Sequence, residues 1–325
     1  MTLGHRNRIR RTGGNPQVRE LEITDTSLGR AAAPSESPRP RSRTQMCAAL
    51  TDRVFELESQ LGHARSQLAG YGETLLAIQR SIIPQRLPEV PGLDLAVHFT
   101  ELEEAGGDLY DVSPLGPESW AIVIADVSGH GLAAAAVLAL THALGHALQE
   151  QGTPPSPGAA LALVNGALAA RYLVNSGQFV TALAGWYEAR TQVFKYASAG
   201  HPPPRLIRDD EVRRLDSVSG VPLGVDGESS YQEAVVQLQA GDRLVLFTDG
   251  ITECTNAAGE LFGDQRLDEV LRTPINGAPE LLERVVHSVH AFRAGLPPGD
   301  DETCLIACVK PIRGTTQGES EVVRC

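Results

Sequence analysis

Apolar residues between positions 50 and 82 repeat at alternating steps of four and three, which predicts one long amphipathic helix. Such steps are typical of the a and d positions of a coiled coil, and they favour a parallel homodimer through residues 50–82. Three glycines weaken the helix, and Pro84 and Pro88 end it, so residues 46–83 read as a coiled-coil or linker helix. The alternative is a single amphipathic helix packed on its own domain. The repeating positions are Leu50, Val54, Leu57, Leu61, Ala64, Leu68, Tyr71, Leu75, Ile78 and Ile82.

From about residue 93 the helical stripe gives way to short runs that alternate or are continuously apolar. They predict strands over 93–99, 120–125, 180–187, 192–197, 234–238, 243–247 and 303–309. Helices are predicted over 132–148, from Ser156-Pro157 to about 174, and over about 278–294. The helices come in pairs between blocks of strands and do not alternate with single strands. This order favours an α+β fold of packed antiparallel sheets with helices outside, over a doubly wound parallel sheet.

The composition of the two chain ends sets them apart from this domain. Residues 1–43 are rich in Arg, Pro, Ser, Gly and Thr without an apolar period, which predicts a disordered basic tail. Residues 312–325 read as a flexible tail, so the folded domain is expected over residues 84–311.

The net charge and the cysteines of the chain limit which kinds of binding partner and which cellular compartment we expect. The net charge is −12 although residues 1–43 hold nine arginines against four acids, so the body of the chain is strongly acidic. An acidic body argues against nucleic acid as the main partner and is compatible with a site for divalent cations. No apolar run approaches the length of a membrane span, and the five scattered cysteines lack zinc-site spacing. We therefore expect a cytoplasmic protein without a membrane partner.

Aspartates flanked by Gly, Ser or Thr mark several predicted strand ends. Taken singly, each reads as an ordinary turn residue, and their spacing alone does not establish that they converge. If they do converge, an all-oxygen site suits Mg²⁺ or Mn²⁺ rather than zinc. These residues are Asp108 and Asp111 in a glycine-marked turn, Asp126 after one strand, Asp249 after another, and Asp300 and Asp301 before the last strand.

A convergent set of this kind indicates phosphate-ester hydrolysis. Two divalent ions roughly 3.5–4 Å apart can share one water, lower its pKa toward neutrality, and direct the resulting hydroxide at phosphorus. The same ions offset the charge on the phosphoryl oxygens, so no covalent enzyme intermediate is needed.

Seven ordered motifs give the chain a specific resemblance over roughly residues 85–310. It resembles the bacterial SpoIIE-type branch of the metal-dependent (PPM, type 2C-like) serine/threonine phosphatases. The resemblance implies a four-layer αββα sandwich with two Mn²⁺ or Mg²⁺ ions per domain, preceded here by the long helix. The motifs are "GGDLYDV", "IADVSGHG", "FVTALAGWYEA", "KYASAGHPPP", "GVPLGV", "LFTDGITECTNAAGELFG" and "DDETCLI".

The resemblance also implies a role for each matched residue. Asp126 would bridge both ions and the Val127 carbonyl would ligate one of them, while Asp108 would serve the second ion. Asp249 and Asp300 would complete the first ion's ligands. It assigns no role to Asp301, and Glu302 replaces a usual apolar residue and would add a charge beside the site.

Two histidines in the motifs have alternative interpretations. His130 is a candidate general acid for the leaving oxygen, because an imidazole titrates near neutral pH. The alternative is a turn residue with a hydrogen-bonded ring. We expect His201, in a proline-rich loop, to be structural.

The resemblance implies a cytoplasmic protein phosphatase that hydrolyses phosphoserine or phosphothreonine on a small regulatory protein. The expected substrate is an anti-anti-sigma-factor (STAS-type) antagonist, and an upstream regulator protein is a possible further partner. The alternative function is a catalytically silent signalling scaffold dimerised through the coiled coil. A haloacid-dehalogenase-like enzyme is disfavoured, because "DLYDV" lacks the Asp-x-Asp-x-Thr loop of that class.

Overall fold

The computed structural model describes residues 53–63, 70, 74, 77–102, 106–149, 155–174 and 176–311. Two compact units divide the chain, Met1–Ser59 and Gln60–Cys325. The predicted tails at 1–43 and 312–325 lie outside the described residues. So do Leu50, Ala64, Leu68, Tyr71 and Leu75 of the predicted coiled coil.

The described parts of the N-terminal segment are helical at 53–63 and 77–82, as the apolar stripe predicts. Three stripe residues, Val54, Leu57 and Leu61, are 53%, 48% and 51% exposed. An amphipathic helix normally buries such a stripe against a partner. The helix is therefore confirmed where it is described, while pairing into a coiled coil stays a prediction.

Ten strands form two antiparallel sheets of five strands each. In the first sheet the spatial order is β1-β10-β9-β6-β7, and in the second it is β2-β3-β4-β5-β8. In chain order the strands are β1 (Leu93–Thr100), β2 (Asp108–Pro114), β3 (Ser119–Val127), β4 (Val180–Glu188), β5 (Val193–Ala199), β6 (Arg205–Arg208), β7 (Glu211–Arg214), β8 (Ala234–Gln237), β9 (Arg243–Phe247) and β10 (Glu302–Val309).

Helices cover the outer face of each sheet. The helices are α1 (Leu132–Gln149), α2 (Pro157–Ala167) with a following π-helical turn (Leu168–Tyr172), α3 (Asp249–Thr252), α4 (Gly263–Leu271) and α5 (Ala278–Arg293). Helices α1 and α2 contact the second sheet, while α5 contacts the first sheet and α4 packs on α5. One apolar core includes residues of both sheets and of α1 and α2, and another lies between the first sheet and α4 and α5. The expected αββα sandwich is confirmed.

Helix α1 is, among the described residues, the one helix whose length and composition would allow it to cross a membrane. Its Ala134, Ala135, Val137 and Leu138 are buried in the domain. A core helix of a water-soluble protein passes the same test, so this property carries little weight.

Strand β2 corrects one expectation. The sequence predicts a glycine-marked turn at Asp108 and Asp111, but both lie in a strand that pairs with β3 along its whole length. Asp126 also lies within a strand, one residue before the end of β3. Aspartate is a poor strand former, so these positions are held by pairing and by the side-chain contacts described below.

The pattern also missed the hairpin of β6 and β7 and the short helix α4. The hairpin turns at Asp209 and Asp210, whose φ angles of 49° and 60° are those of a tight two-residue turn. Its strands have four residues each. Strand β7 reads EVRR and is largely exposed, so it carries almost no apolar signal.

A buried arginine joins this hairpin to α4. Arg205 is fully buried, and its guanidinium lies 5.2 Å from the centre of the Phe247 ring. Arg205 Nε donates to Asp268 Oδ1 at 2.8 Å, Nη2 to Asp264 Oδ1 at 2.6 Å, and Nη1 to the Pro203 carbonyl at 2.5 Å. A buried charge is tolerated only when paired in this way.

We expect Asp268→Asn to lower the free energy of unfolding by about 2 kcal/mol, because it removes a charged hydrogen bond from a buried guanidinium. Urea unfolding followed by circular dichroism measures this change. The matched control is Asp264→Asn, whose side chain is 46% exposed compared with 20% for Asp268. Solvent screening should keep the control's cost below about 1 kcal/mol. Equal losses in the two variants would contradict this account.

Candidate metal centre

Two aspartates face each other across neighbouring strands of the second sheet. Asp108 on β2 is paired with Asp126 on β3, and Asp126 is paired on its other side with Thr181 on β4. Directly opposed side chains of an antiparallel pair lie about 4.5–5.5 Å apart at Cβ, and like charges at this distance repel. The register therefore places two carboxylates side by side at one end of the second sheet.

The first sheet brings its own acids to the same end. Strands β9 and β10 are neighbours, so the segment after β9, with Asp249, lies beside the segment before β10, with Asp300 and Asp301. The charges of Asp249, Asp300 and Asp301 all act on the carboxyl group of Asp126. The structure therefore places near one another the acidic residues whose convergence their spacing in the sequence did not establish.

Burial and mutual repulsion raise the pKa values of these carboxyl groups. Burial and then the charges of Asp249 and Asp300 raise the pKa of Asp126 to about 7. Burial and the Asp300 charge raise the pKa of Asp249 to about 6. Burial and the Asp126 charge raise the pKa of Asp108 well above its usual value. Keeping these carboxyl groups ionised therefore costs free energy, and a bound cation would remove that cost.

Hydroxyl groups from the first sheet fix Asp108. Its Oδ2 accepts hydrogen bonds from Thr248 Oγ1 at 2.7 Å and from Thr303 Oγ1 at 2.6 Å. Thr248 Oγ1 also accepts the Thr303 amide at 3.1 Å. Neither threonine was predicted from the sequence to be part of the site. Their positions within the "TDG" and "DDET" motifs were the available signal.

Asp301 anchors the backbone of the segment that leads into β2. Its Oδ1 accepts the Leu102 amide at 2.7 Å and its Oδ2 accepts the Gly107 amide at 2.5 Å. The Asp301 amide in turn donates to Asp300 Oδ1 at 2.8 Å. Asp301, which the resemblance left without a role, therefore positions the chain just before Asp108.

Glu302 does not add a charge to the cluster in the way that the sequence suggested. Successive residues of a strand face opposite sides of the sheet, and the side chain of Glu302 pairs with Arg293 of α5. His98 and His290 also lie 3.7 Å from its carboxylate. The Glu302 charge is therefore neutralised in the helix layer, on the other face of the sheet from Thr303.

Gly107 leaves open space beside two candidate ligand atoms. A Cβ atom at this position would lie 2.7 Å from the Val127 carbonyl oxygen and 3.4 Å from Asp126 Oδ1. Real Cβ atoms do not approach an oxygen to 2.7 Å, so only glycine fits here without displacing β3. The Val127 carbonyl and the Asp126 carboxylate thus border the same small recess.

The donor set fits hard divalent cations, because every candidate atom is a carboxylate or carbonyl oxygen. The described residues contain two groups of three metal-binding side chains whose ligand atoms lie within 4.8 Å of one another, and neither group includes the acids of this site. Among the described residues, no three of these carboxylates place ligand atoms that close together. Asp108, Asp126, Asp249, Asp300 and the Val127 carbonyl could hold two ions.

The two histidines of the motifs have different surroundings. His130 is exposed in the loop between β3 and α1. Burial raises the pKa of Asp300, and the nearby His130 charge opposes that rise, so the two side chains are neighbours. His201 is buried, its Nδ1 lies 2.9 Å from Thr181 Oγ1, and burial lowers its pKa to about 3. A neutral, buried His201 supports the structural role expected for it.

Sequence reasoning missed two residues near the site. Glu253 lies four residues after Asp249, and its charge helps to raise the pKa values of both Asp249 and Asp126. Gln79, in the helical segment 77–82, is buried and donates from Nε2 to the Gly106 carbonyl at 3.1 Å. The helix before the domain therefore contacts the residue pair Gly106-Gly107 directly. The sequence pattern did not mark Gln79, which lies next to the stripe position Ile78.

Known proteins match the same part of the chain. The family model of Stage II sporulation protein E (SpoIIE) matches residues 116–310. The phosphoserine phosphatase RsbU of Bacillus subtilis is 30% identical over 213 residues, which are 65% of this chain and 62% of RsbU. The chain thus matches less than two thirds of the length of this relative.

Solved structures share the fold. The SiaA-PP2C domain of Pseudomonas aeruginosa has a TM-score of 0.65 at 24% identity, covering 76% of this chain and 98% of that domain. The catalytic domain of the serine/threonine protein phosphatase PstP, solved in complex with 2 manganese ions, has a TM-score of 0.51 at 18% identity. That match covers 67% of this chain and 99% of the PstP domain. At these identities the likeness establishes the αββα fold alone.

Asp126→Asn should stabilise the metal-free protein at alkaline pH. In the folded state its pKa is about 7 compared with a usual value of 3.8, so carrying the charge costs free energy above pH 7. That cost fades as the pH falls through 7, because the folded protein then protonates the group. We expect the free energy of unfolding to rise by about 2–4 kcal/mol at pH 8 and by less at pH 5.

Urea unfolding of both proteins in a chelator measures this difference across the pH range. Comparison at each pH cancels the contributions of other titrating groups, including His201. Added Mn²⁺ should reverse the order by stabilising the wild type more than the variant. A stability difference that does not depend on pH would contradict the proposed repulsion.

Proposed function

The chain belongs to the SpoIIE family, and from this premise we propose that it is a metal-dependent protein serine/threonine phosphatase. The observation that carries the proposal is the approach of acids from two sheets. Asp108 is paired with Asp126, whose Oδ1 borders Gly107, and the charges of Asp249 and Asp300 act on Asp126. Raised carboxyl pKa values are typical of functional sites, where charged groups are kept together although their repulsion lowers the stability of the fold. The similarity to RsbU, a phosphoserine phosphatase, supports the same reaction class.

We propose that two Mn²⁺ or Mg²⁺ ions occupy this site. Asp126 would lie between them, with the Val127 carbonyl, Asp249 and Asp300 on one ion and Asp108 on the other. When bound, such a pair supplies an activated water for in-line attack on phosphorus and offsets the phosphoryl charge. The PstP structure with two manganese ions shows that the fold can hold such a pair.

The residues of the chain orient this site before substrate binds. The two threonine hydroxyls hold one oxygen of Asp108, which leaves its other oxygen for a cation. Asp301 fixes the backbone at Gly107, so the recess beside Asp126 keeps its shape. Pre-positioned ligands need little reorganisation when charge develops during the reaction.

His130 is the proposed proton donor to the leaving serine or threonine oxygen. It is exposed in the loop between β3 and α1, and its charge acts on the neighbouring carboxyl group of Asp300. A protonated imidazole near neutral pH can neutralise the alkoxide as the phosphorus–oxygen bond breaks.

The proposed substrate is a phosphoserine or phosphothreonine on a small regulatory protein of the anti-anti-sigma-factor (STAS) type, which the family resemblance implies. The proposed location is the cytoplasm, where such regulators act. Within the described residues, Cys254, Cys304 and Cys308 are free thiols, which agrees with a reducing compartment.

The helix before the domain is the proposed regulatory part. We propose that residues 50–82 form a homodimer and that an upstream regulator protein acts on this helix. The bond from Gln79 to the Gly106 carbonyl offers a direct contact between the helix and the metal-site backbone. A change in the position of the helix would act on Gly107 and hence on the recess.

The alternative function is a silent signalling scaffold that keeps the fold and the dimer but does not turn over substrate. The complete set of acidic ligands favours the enzyme. A phosphoserine-protein assay with Mn²⁺ distinguishes the two, because a scaffold would bind the phosphoprotein without releasing phosphate.

Asp126→Asn should reduce Mn²⁺-dependent phosphate release from phosphoserine substrates by at least about 100-fold, because it removes the ligand shared by both ions. Phosphate release under single-turnover conditions measures the rate constant. The matched control is Asp216→Asn, which changes an acid that is 64% exposed on the surface. The control should keep the wild-type rate, and an unchanged rate for Asp126→Asn would refute the bridging role.

Leu57→Asp combined with Leu61→Asp should convert a dimer into a monomer, because both exposed stripe positions would bring charge into the predicted seam. Sedimentation equilibrium of the full chain measures the change in mass. Glu58→Gln is the control on the same helix and should leave the dimer intact. A monomeric wild type would show that the coiled-coil proposal is wrong.

A further inference from the structure

A second group of potential metal ligands lies between the second sheet and its helix layer. Asp111 on β2 and His142 and His146 on α1 each offer one ligand atom, and these atoms lie within 4.8 Å of one another. His142 and His146 are four residues apart, so they project from the same face of α1. Asp111 Oδ2 lies 3.2 Å from His146 Nε2, and the two imidazole rings have centroids 4.2 Å apart.

This group is separate from the carboxylate site. Asp108 and Asp111 lie three residues apart on β2, so their side chains emerge on opposite faces of the sheet. Asp108 faces Thr248 and Thr303 of the first sheet, whereas Asp111 faces His146 of α1. The reaction proposed above uses none of the three residues Asp111, His142 and His146.

The surroundings of Asp111 suit metal binding. Asp111 is buried, and its Oδ2 also accepts a hydrogen bond from Ser113 Oγ at 2.8 Å. Ligating carboxylates usually have a hydrogen-bond partner of this kind behind them.

The other comparable group in the described part of the chain is less suitable. His98, His290 and Glu302 also place their ligand atoms within 4.8 Å of one another. The carboxylate of Glu302, however, is already engaged by the guanidinium of Arg293. A fixed positive charge on the carboxylate opposes the entry of a second cation. No comparable arginine or lysine pairs with Asp111 among the described residues.

We propose that Asp111, His142 and His146 bind one transition-metal ion of the Zn²⁺ class, which ties α1 to β2. Two imidazoles and one carboxylate are a usual protein ligand set for zinc, with water in the fourth position. All three residues line a cavity of about 70 Å³. This volume is several times the space that one water needs.

The position of this ion would matter for the rest of the domain. Helix α1 begins at Leu132, directly after the loop that contains His130. An ion that holds His142 and His146 to the second sheet would fix the helix that follows this loop. The ion would be structural, and its binding does not depend on whether the chain is a phosphatase.

The test uses the full chain carrying Asp126→Asn, so that the carboxylate site contributes as little as possible. After treatment with a chelator, the protein is titrated with Zn²⁺ in the calorimeter under excess Mg²⁺, and separately with Co²⁺ while visible absorption is recorded. We expect one Zn²⁺ per chain that Mg²⁺ does not displace, and Co²⁺ bands of a four-coordinate site. No Zn²⁺ binding under these conditions would overturn the proposal.

Two variants in the same background locate the site. His142→Gln and His146→Ala should each weaken Zn²⁺ binding by at least about 100-fold, since loss of an outer partner alone typically weakens it by 10–100-fold. His287→Ala, an exposed histidine of α5 outside the group, is the control and should bind as the parent does. Unweakened binding in His142→Gln and His146→Ala would place the ion elsewhere and overturn the proposal.

Thermal unfolding gives an independent readout that does not need enzyme activity. Saturating Zn²⁺ should raise the midpoint of the parent and of His287→Ala, but not that of His146→Ala. If His146→Ala is too unstable to study, His142→Gln serves the same comparison. An equal rise in all variants would overturn the proposal.

Discussion

Mutual repulsion among carboxylates at one end of two stacked sheets is the constraint on which the rest of this structure depends. Asp108 and Asp126 face each other across β2 and β3, and Asp249, Asp300 and Asp301 approach from β9 and β10. Apolar burial in both cores must hold this charge together. Two of the acids are satisfied by the protein itself, since Asp108 accepts two threonine hydroxyls and Asp301 accepts two backbone amides. The negative charge of the other acids is not neutralised by the protein and is left for cations. The proposed phosphatase function depends on this excess of negative charge.

The alternation of side chains along a strand lets one strand serve two polar networks. Asp108 and Asp111 lie on opposite faces of β2, one toward the first sheet and the other toward α1. Strand β10 repeats the arrangement, with Thr303 toward Asp108 and Glu302 toward Arg293 of α5. The carboxylate site and the proposed zinc site are thus tied to the same strand. A displacement of β2 along its axis would disturb both.

The helix before the domain is coupled to this arrangement by a single buried side chain. Gln79 lies next to the stripe position Ile78 and donates to the Gly106 carbonyl, next to the glycine that Asp301 holds. In the separate helical segment 53–63, Val54, Leu57 and Leu61 are about half exposed. The proposed dimer would cover these side chains. The proposed dimer and the proposed metal site would then share one mechanical connection.

The sequence by itself determined the periodic elements and the motifs. The helix of residues 132–148 and the strands at 180–187 and 243–247 follow from apolar spacing, because burial imposes a period of 3.6 or 2. The order of the elements favoured packed antiparallel sheets with helices outside, and the family resemblance implied the αββα sandwich. The ordered motifs indicated the family and the acids to examine. Only the tertiary structure decided that β2 is a strand, that Asp301 holds backbone amides, and that Glu302 turns away from the cluster. The strand β2 depends on pairing with β3, the Asp301 bonds join residues nearly 200 positions apart, and the direction of Glu302 depends on the face of the sheet. None of these is written in local propensity.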